Sequence, residues 1–229
     1  MSSVARESAV FPLTQAFLPG DAVVLRVFEP RYLAMFARTD ADTSNTFVSV
    51  LIERGPEVGG GDRRFALGVE VQVDMVAADS GTLVVSGTAT HAVEVVEWLP
   101  DDPWPRARVV SVDHAPERRE TLRDAASALT VLAQSVRSLL ARHGVDAVSA
   151  PGTVLSSLST VAGGRWHGGE PVLHDVDVAL WSVVRALPCG PLDRYSLLAG
   201  SGVKDRVGIL RRIVEHTDEV LAFGRDARR

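Results

Sequence analysis

Phe11-Pro12-Leu13, then Leu18-Pro19-Gly20, then Phe28-Glu29-Pro30-Arg31-Tyr32 decide how this 229-residue chain begins to fold. The first apolar run reads as a strand. It stops at Pro19-Gly20, because proline lacks the N–H a ladder needs and glycine turns the chain at little steric cost. Val23-Val24-Leu25 follows as a short buried strand. It runs into Pro30, which suits a first helical turn, where its missing N–H would have no partner anyway. A helix is expected from Pro30 to about Arg38, with Tyr32, Leu33, Met35 and Phe36 on its apolar face. Glu29 and Arg31 lie two residues apart across Pro30. They are expected to pair and pin the turn rather than to act as acid and base.

Outward from this start, the chain is strand-rich to about Val112. Phe47-Val48-Ser49-Val50-Leu51-Ile52 is rich in β-branched residues. Gly68-Val69-Glu70-Val71-Gln72-Val73 alternates apolar and polar, as a half-exposed strand does. Ala78-Asp79-Ser80-Gly81 reads as a hairpin turn with Thr82-Leu83-Val84-Val85 returning from it. Val93 to Trp98 and Arg108 to Val112 read as two more strands. Between them, Pro100-Asp101-Asp102-Pro103-Trp104-Pro105 can only be a loop.

After Pro116 the periodicity becomes helical. From Glu117 to Arg142, leucine, alanine and valine recur every three or four residues, and Gly144 is the stop. Further helices are expected over Asp175 to Leu187, Leu192 to Leu198 and Asp205 to Phe223. The segment from Pro151 to His174 has no clear reading, and Ala162 to Gly169 is expected to be its most flexible part. The fold class is therefore α+β, with a β-rich domain over 9–115 and an α-helical one over 116–229.

Composition narrows the function. The net charge is −5, with almost all basic residues arginine and Lys204 the single lysine. An acidic chain argues against whole-surface nucleic-acid binding. No run of about eighteen apolar residues occurs, so no membrane span is expected. No basic stretch with a long apolar core opens the sequence, and Cys189 is the one cysteine. Both fit a cytoplasmic protein without an internal disulfide.

The order of motifs resembles the Lon protease N-terminal, substrate-binding domain. It rests on the opening strand, Pro-Gly stop and Phe28-to-Tyr32 turn, on Phe47 to Gly61, on Gly68-Val69-Glu70-Val71, on Ser86-Gly87, and on Leu187-Pro188 with Leu192 to Leu198 and Asp205-Arg206-Val207. The resemblance implies a PUA-like mixed-strand pseudo-barrel followed by a C-terminal helical bundle. It implies binding rather than catalysis, with Phe28, Glu29, Pro30, Arg31 and Tyr32 as a structural motif. It departs from the family pattern at Thr90-His91, where an arginine is usual.

Candidate chemistry is sparse. A Ser–Lys nucleophile needs a buried, deprotonated lysine, whereas Lys204 stands beside Asp205 at a helix start and is expected on the surface. There is no Gly-x-x-x-x-Gly-Lys-Ser/Thr phosphate loop. Gly59-Gly60-Gly61 reads as a flexible hairpin loop, with Arg63-Arg64 a small basic pair. His143, His167 and His174 lack the spacing of a metal site, so no metal or cofactor is expected. Asp101 and Asp102 read as a solvated turn, and Cys189 as a packed thiol. No catalytic residue is assigned.

Aromatic surface is the positive candidate. Trp98 and Trp104 flank the proline-rich loop and could hold an extended peptide, since such rings bury large areas with little rotamer loss. The competing reading is that Trp98 only caps the barrel core. Trp166, in a glycine-rich segment, is a third candidate anchor.

The leading expectation is a non-catalytic module that binds unfolded segments or peptides, or docks on a partner such as a protease machine, and itself contains neither motor nor protease. An RNA-associated PUA-like module is the alternative, resting on fold analogy alone, with Arg54, Arg63 and Arg64 as its candidates. A small-molecule enzyme would need a buried cluster including His91, Asp113 or His114.

Overall fold

The computed structural model describes residues 4–37, 45–112, 116–143, 152–164, 166 and 171–226. The chain divides into two compact units, Met1–Asp113 and His114–Arg229.

The first unit is a six-stranded mixed sheet that closes on itself. Its strands are β1 (Arg6–Leu13), β2 (Ala22–Val27), β3 (Thr46–Arg54), β4 (Arg63–Asp79), β5 (Thr82–Leu99) and β6 (Arg106–Ser111), and α1 (Pro30–Phe36) lies between β2 and β3. The order is β2-β5-β4-β3-β1-β6, and a further β5–β6 pairing makes the barrel. β1 and β3 run parallel, with Val10 opposite Val48; the other pairs are antiparallel. Pro12 is tolerated in β1 because β6 pairs only with Arg6 to Ala9, so no β6 acceptor faces the missing N–H.

β5 is the strand that makes closure possible. One edge follows β4; the other is shared between β2, opposite Leu83 to Thr88, and β6, opposite Val93 to Leu99. The sequence reads two strands here, and the structure has one long bent strand. The close pairing of these strands depends on glycine. A Cβ on Gly87 would stand 2.3 Å from the Gln72 carbonyl oxygen, and one on Gly68 2.3 Å from that of Ser49. Only a residue without a side chain lets the strands approach so closely. The hairpin at Ser80-Gly81 has positive φ at both residues, the primed turn that matches strand twist.

Alternation along β1 and β3 sends side chains to both faces. Val10, Val48, Val50, Val93, Val95, Ala107 and Val109 form one buried cluster. On the opposite face Phe11 stacks on Tyr32 with ring centroids 4.1 Å apart, and Phe47 meets Phe36 edge-on at 5.5 Å. These contacts seat α1 on the sheet, each pair contributing about 1 kcal/mol beyond area burial.

The second unit holds α2 (Arg119–His143), α3 (Gly152–Ala162), α4 (Leu173–Arg185), α5 (Pro191–Leu198) and α6 (Val203–Asp226). The expected stripe of α2 is buried from Leu122 to Leu140. α3 occupies part of the segment the sequence left open. The buried Arg206 guanidinium bonds Asp177 at 3.0 Å and lies over the Trp181 ring. Half of the stretch expected to be flexible, His167 included, lies outside the described residues.

The architecture is thus α+β, a mixed-strand barrel unit followed in sequence by helices, as the sequence and the resemblance led one to expect.

Candidate functional site

β2 positions the site by simple alternation. Val23, Leu25 and Val27 are buried, while Ala22, Val24 and Arg26 face outward. Phe28 continues the outward series. Val24 is 69% exposed and Phe28 55%, so the short buried strand expected from the sequence is instead a half-exposed edge strand. β2 pairs with β5 on one side, and among the described residues no strand pairs with its other edge.

A groove of about 230 Å³ lies here. Buried Phe11, Leu13 and Phe17 line it together with Val24 and Phe28, and Val58, 52% exposed, joins them from the loop after β3. Thr14 and Glu57 add polar atoms, with the Thr14 hydroxyl donating to Glu57 Oε2 at 2.6 Å. Apolar walls with a few placed polar groups suit ligand binding. Val24, Phe28 and Val58 are exposed apolar side chains gathered around one groove rather than scattered singly, which is the arrangement that carries functional weight.

The groove is shaped by the turn that opens α1. Arg31 pairs with Glu29 at 3.1 Å, and both side chains are largely buried. Glu29 Oε2 also accepts from the Gly59 N–H at 3.1 Å. The Arg31 guanidinium lies over the Tyr32 ring, 4.5 Å from its centroid. Burial pushes the Tyr32 phenol up to about 12, so the ring stays neutral. Gly59, Gly60 and Gly61 all have positive φ, and a Cβ on Gly60 would press on Arg31 at 3.1 Å. The triple glycine is therefore a loop docked on the Glu29–Arg31 turn, not the free hairpin loop expected. Phe28, Glu29, Pro30, Arg31 and Tyr32 do the structural work assigned to them and, through Phe28 and Glu29, also line the groove.

The start of β4 reaches Trp98. Arg64 bonds Asp62 at 2.6 Å and Asp101 at 3.0 Å, and lies over the Trp98 ring at 5.3 Å. Burial disfavours the Asp62 carboxylate, but the Arg64 hydrogen bond, a backbone hydrogen bond and the charges of Arg64 and Arg31 together outweigh it and hold the carboxyl below its usual range. Arg64 is thus a clamp between two loops, and Asp101 is held rather than simply solvated. Arg63 pairs with Glu53 at 2.6 Å. Two of the three arginines considered for RNA, Arg63 and Arg64, already pair with a carboxylate, and Arg54 is exposed.

The three tryptophan candidates differ in exposure. Trp98 is 38% exposed and Trp104 only 7%. A ring buried to that degree offers no face to a ligand in this conformation. Trp166 belongs to the second unit and is half-buried. The signal for the groove was the continuation of the β2 alternation through Arg26 to Phe28.

The other candidates have local explanations. Lys204 is exposed in the first turn of α6, where Asp205 caps Ser201. Burial pushes the Cys189 thiol up, away from the thiolate. His91, at the departure from the family pattern, faces Ser111 at 3.2 Å and Glu70 at 3.4 Å, and Glu70 also binds Arg6. Asp113 and His114 lie outside the described residues. His143 faces Asp218 at 2.9 Å and His174 is exposed. Among the described residues no group of three His, Cys, Asp or Glu side chains could hold a metal, and no helix is long and apolar enough to cross a membrane.

A mixed barrel of this order, with a docked Glu-Pro-Arg turn and a helical unit after it, defines a class of binding domain. The chain belongs to the ATP-dependent protease La (Lon) substrate-binding domain family, whose model matches residues 7–216. Solved structures share the fold. A Lon N-terminal domain protein from Xanthomonas campestris superposes with a TM-score of 0.58 at 22% identity, over 90% of this chain and 98% of that one. The N-terminal domain of Mycobacterium avium complex Lon protease superposes with a TM-score of 0.63 at 14% identity, over 92% and 98%. Comparison with curated proteins found no match. The part of Lon matched is the substrate-binding domain, not a catalytic one.

Proposed function

We propose that this substrate-binding module takes unfolded or extended polypeptide segments in the groove beside β2. The observation that carries this reading is the exposed apolar series Val24, Phe28 and Val58 around a preformed concavity. Folded proteins keep such side chains inside, so an apolar groove selects chains that have not yet buried theirs. The turn and loop that present Phe28 and Val58 are pre-ordered by Glu29, Arg31 and Gly59, which lowers the ordering cost of binding. Trp98 gives a second, partly exposed aromatic held flat by Arg64. Clients would be proteins or peptides, and the protein would act in the cytoplasm, alone or by handing its client to a protease machine.

The test is fluorescence anisotropy with reduced, carboxymethylated lactalbumin, a chain that cannot refold, against native lactalbumin. The unfolded form should bind, the native form should not, and Phe28→Asp should weaken binding by roughly tenfold or more, as loss of a central aromatic anchor does. Equal binding of both forms, or full binding by Phe28→Asp, would reject the reading.

A further inference from the structure

We infer that the groove takes its client as an added β-strand, paired to the outer edge of β2, and prefers segments with a basic residue beside an apolar one. The inference rests on the proposed peptide-binding function and specifies its mode. Three observations carry it. First, β2 bonds only to β5, so its alternate residues from Ala22 to Val27 aim backbone N–H and C=O groups outward with no partner strand among the described residues. Such an edge is a template for an extended chain. Second, the groove is lined by that strand. Val24, Leu25 and Arg26 of β2, together with Phe28, form part of its wall, so a main chain lying along β2 would place alternate side chains among the apolar lining residues. Third, the rim charge is lopsided. Arg26 is matched by Asp79 at 3.0 Å and Glu29 by Arg31 at 3.1 Å, whereas Glu57 accepts only the Thr14 hydroxyl and faces no cation among the described residues. An uncompensated carboxylate at the rim favours a lysine or arginine on the incoming strand. Natural edges are commonly blunted by lysine, proline or a covering element. Here the outward residues are Ala22, Val24 and Arg26, with Arg26 already engaged, so little guards the edge.

The experiment uses the full chain and a fluorescein-labelled hexapeptide alternating valine and threonine with one lysine near its end. Two further versions are N-methylated, one on the odd and one on the even residues, because each set removes the donors from one edge only. A strand added to β2 uses one edge. One methylated peptide should therefore lose roughly tenfold or more in affinity, from two or three missing hydrogen bonds, while the other stays within about threefold. Replacing the lysine by norleucine should weaken binding to the wild type by a few-fold, and Glu57→Gln should erase that difference. Equal affinities for the two methylated peptides, with the parent peptide and unfolded lactalbumin still bound, would overturn the strand-addition mode and leave the groove reading standing. No binding of any peptide together with no binding of unfolded lactalbumin would overturn both. Concentration-dependent dimerisation abolished by Val24→Lys would instead place a second copy of this chain on the edge and overturn the inference.

Discussion

The Glu29 carboxylate accepts the Gly59 N–H at 3.1 Å while holding Arg31 at the same distance. One side chain therefore ties the turn that opens α1 to a loop thirty residues further along. Phe28 and Val58, the exposed apolar residues on either side of this tie, are each next to one of its anchors. This contact joins the two segments that present Phe28 and Val58 to the groove.

Glu29→Gln keeps the shape but weakens both bonds, and should cost about 2 kcal/mol, the scale of hydrogen bonds to charged groups. Urea denaturation at neutral pH measures it. Peptide affinity should fall as well, because the loop carrying Val58 is no longer held. Unchanged affinity would show that the loop keeps its position without Glu29.

Gly87→Ala puts a methyl 2.3 Å from the Gln72 carbonyl, and Gly68→Ala one equally close to that of Ser49. Backbone must move in each case, so each should lose roughly 3 kcal/mol or fail to fold. Gly81→Ala meets nothing within 4 Å and suffers only from its positive φ of 86°, so about 1 kcal/mol is expected. Thermal melts of the three variants side by side give the order.

Arg64→Met leaves the buried Asp62 carboxylate without its cation, a loss of about 3 kcal/mol. The folded Asp62 carboxyl sits below its usual range, so its contribution is present above the unfolded value and disappears as pH falls through the folded one. The gap between wild type and Arg64→Met should accordingly narrow in acid. The same variant removes the support beneath Trp98, and a red shift of tryptophan emission would report it.

Asp218 receives two bonds from Arg142 at 2.9 Å and one contact from His143 at the same distance. The Arg142 bonds, then that of His143, hold the Asp218 carboxyl below its usual 3.8. By the same sign, its contribution exists above that value and is lost on acidification. The carboxylate is solvent-screened, so Asp218→Asn should cost no more than about 1 kcal/mol at pH 7 and less at pH 3. Melting temperatures at the two pH values check it.

Local chemistry was legible in the sequence. Pro30 opened its helix, Ser80-Gly81 made its turn, the α2 stripe was buried, and Glu29 paired with Arg31. Contacts that depend on closure were not. Nothing local shows that Gly87 lets β5 run on past β2 to reach β6, so one strand read as two. Val23-Val24-Leu25 looks uniformly apolar, and only the strand alternation that turns Val23 and Leu25 inward places Val24 on the outer face. Arg64 reads as a basic surface residue until Asp101, thirty-seven positions away, is beside it. Trp104 looks like an exposed loop aromatic in the sequence, yet only 7% of it is exposed.

The most direct measurement of the central claim is the affinity of wild type and Phe28→Asp for unfolded, carboxymethylated lactalbumin, with circular dichroism to verify that both are folded. The account predicts binding by the wild type and a loss of roughly tenfold or more in the variant. A folded Phe28→Asp that binds as tightly as the wild type would contradict it.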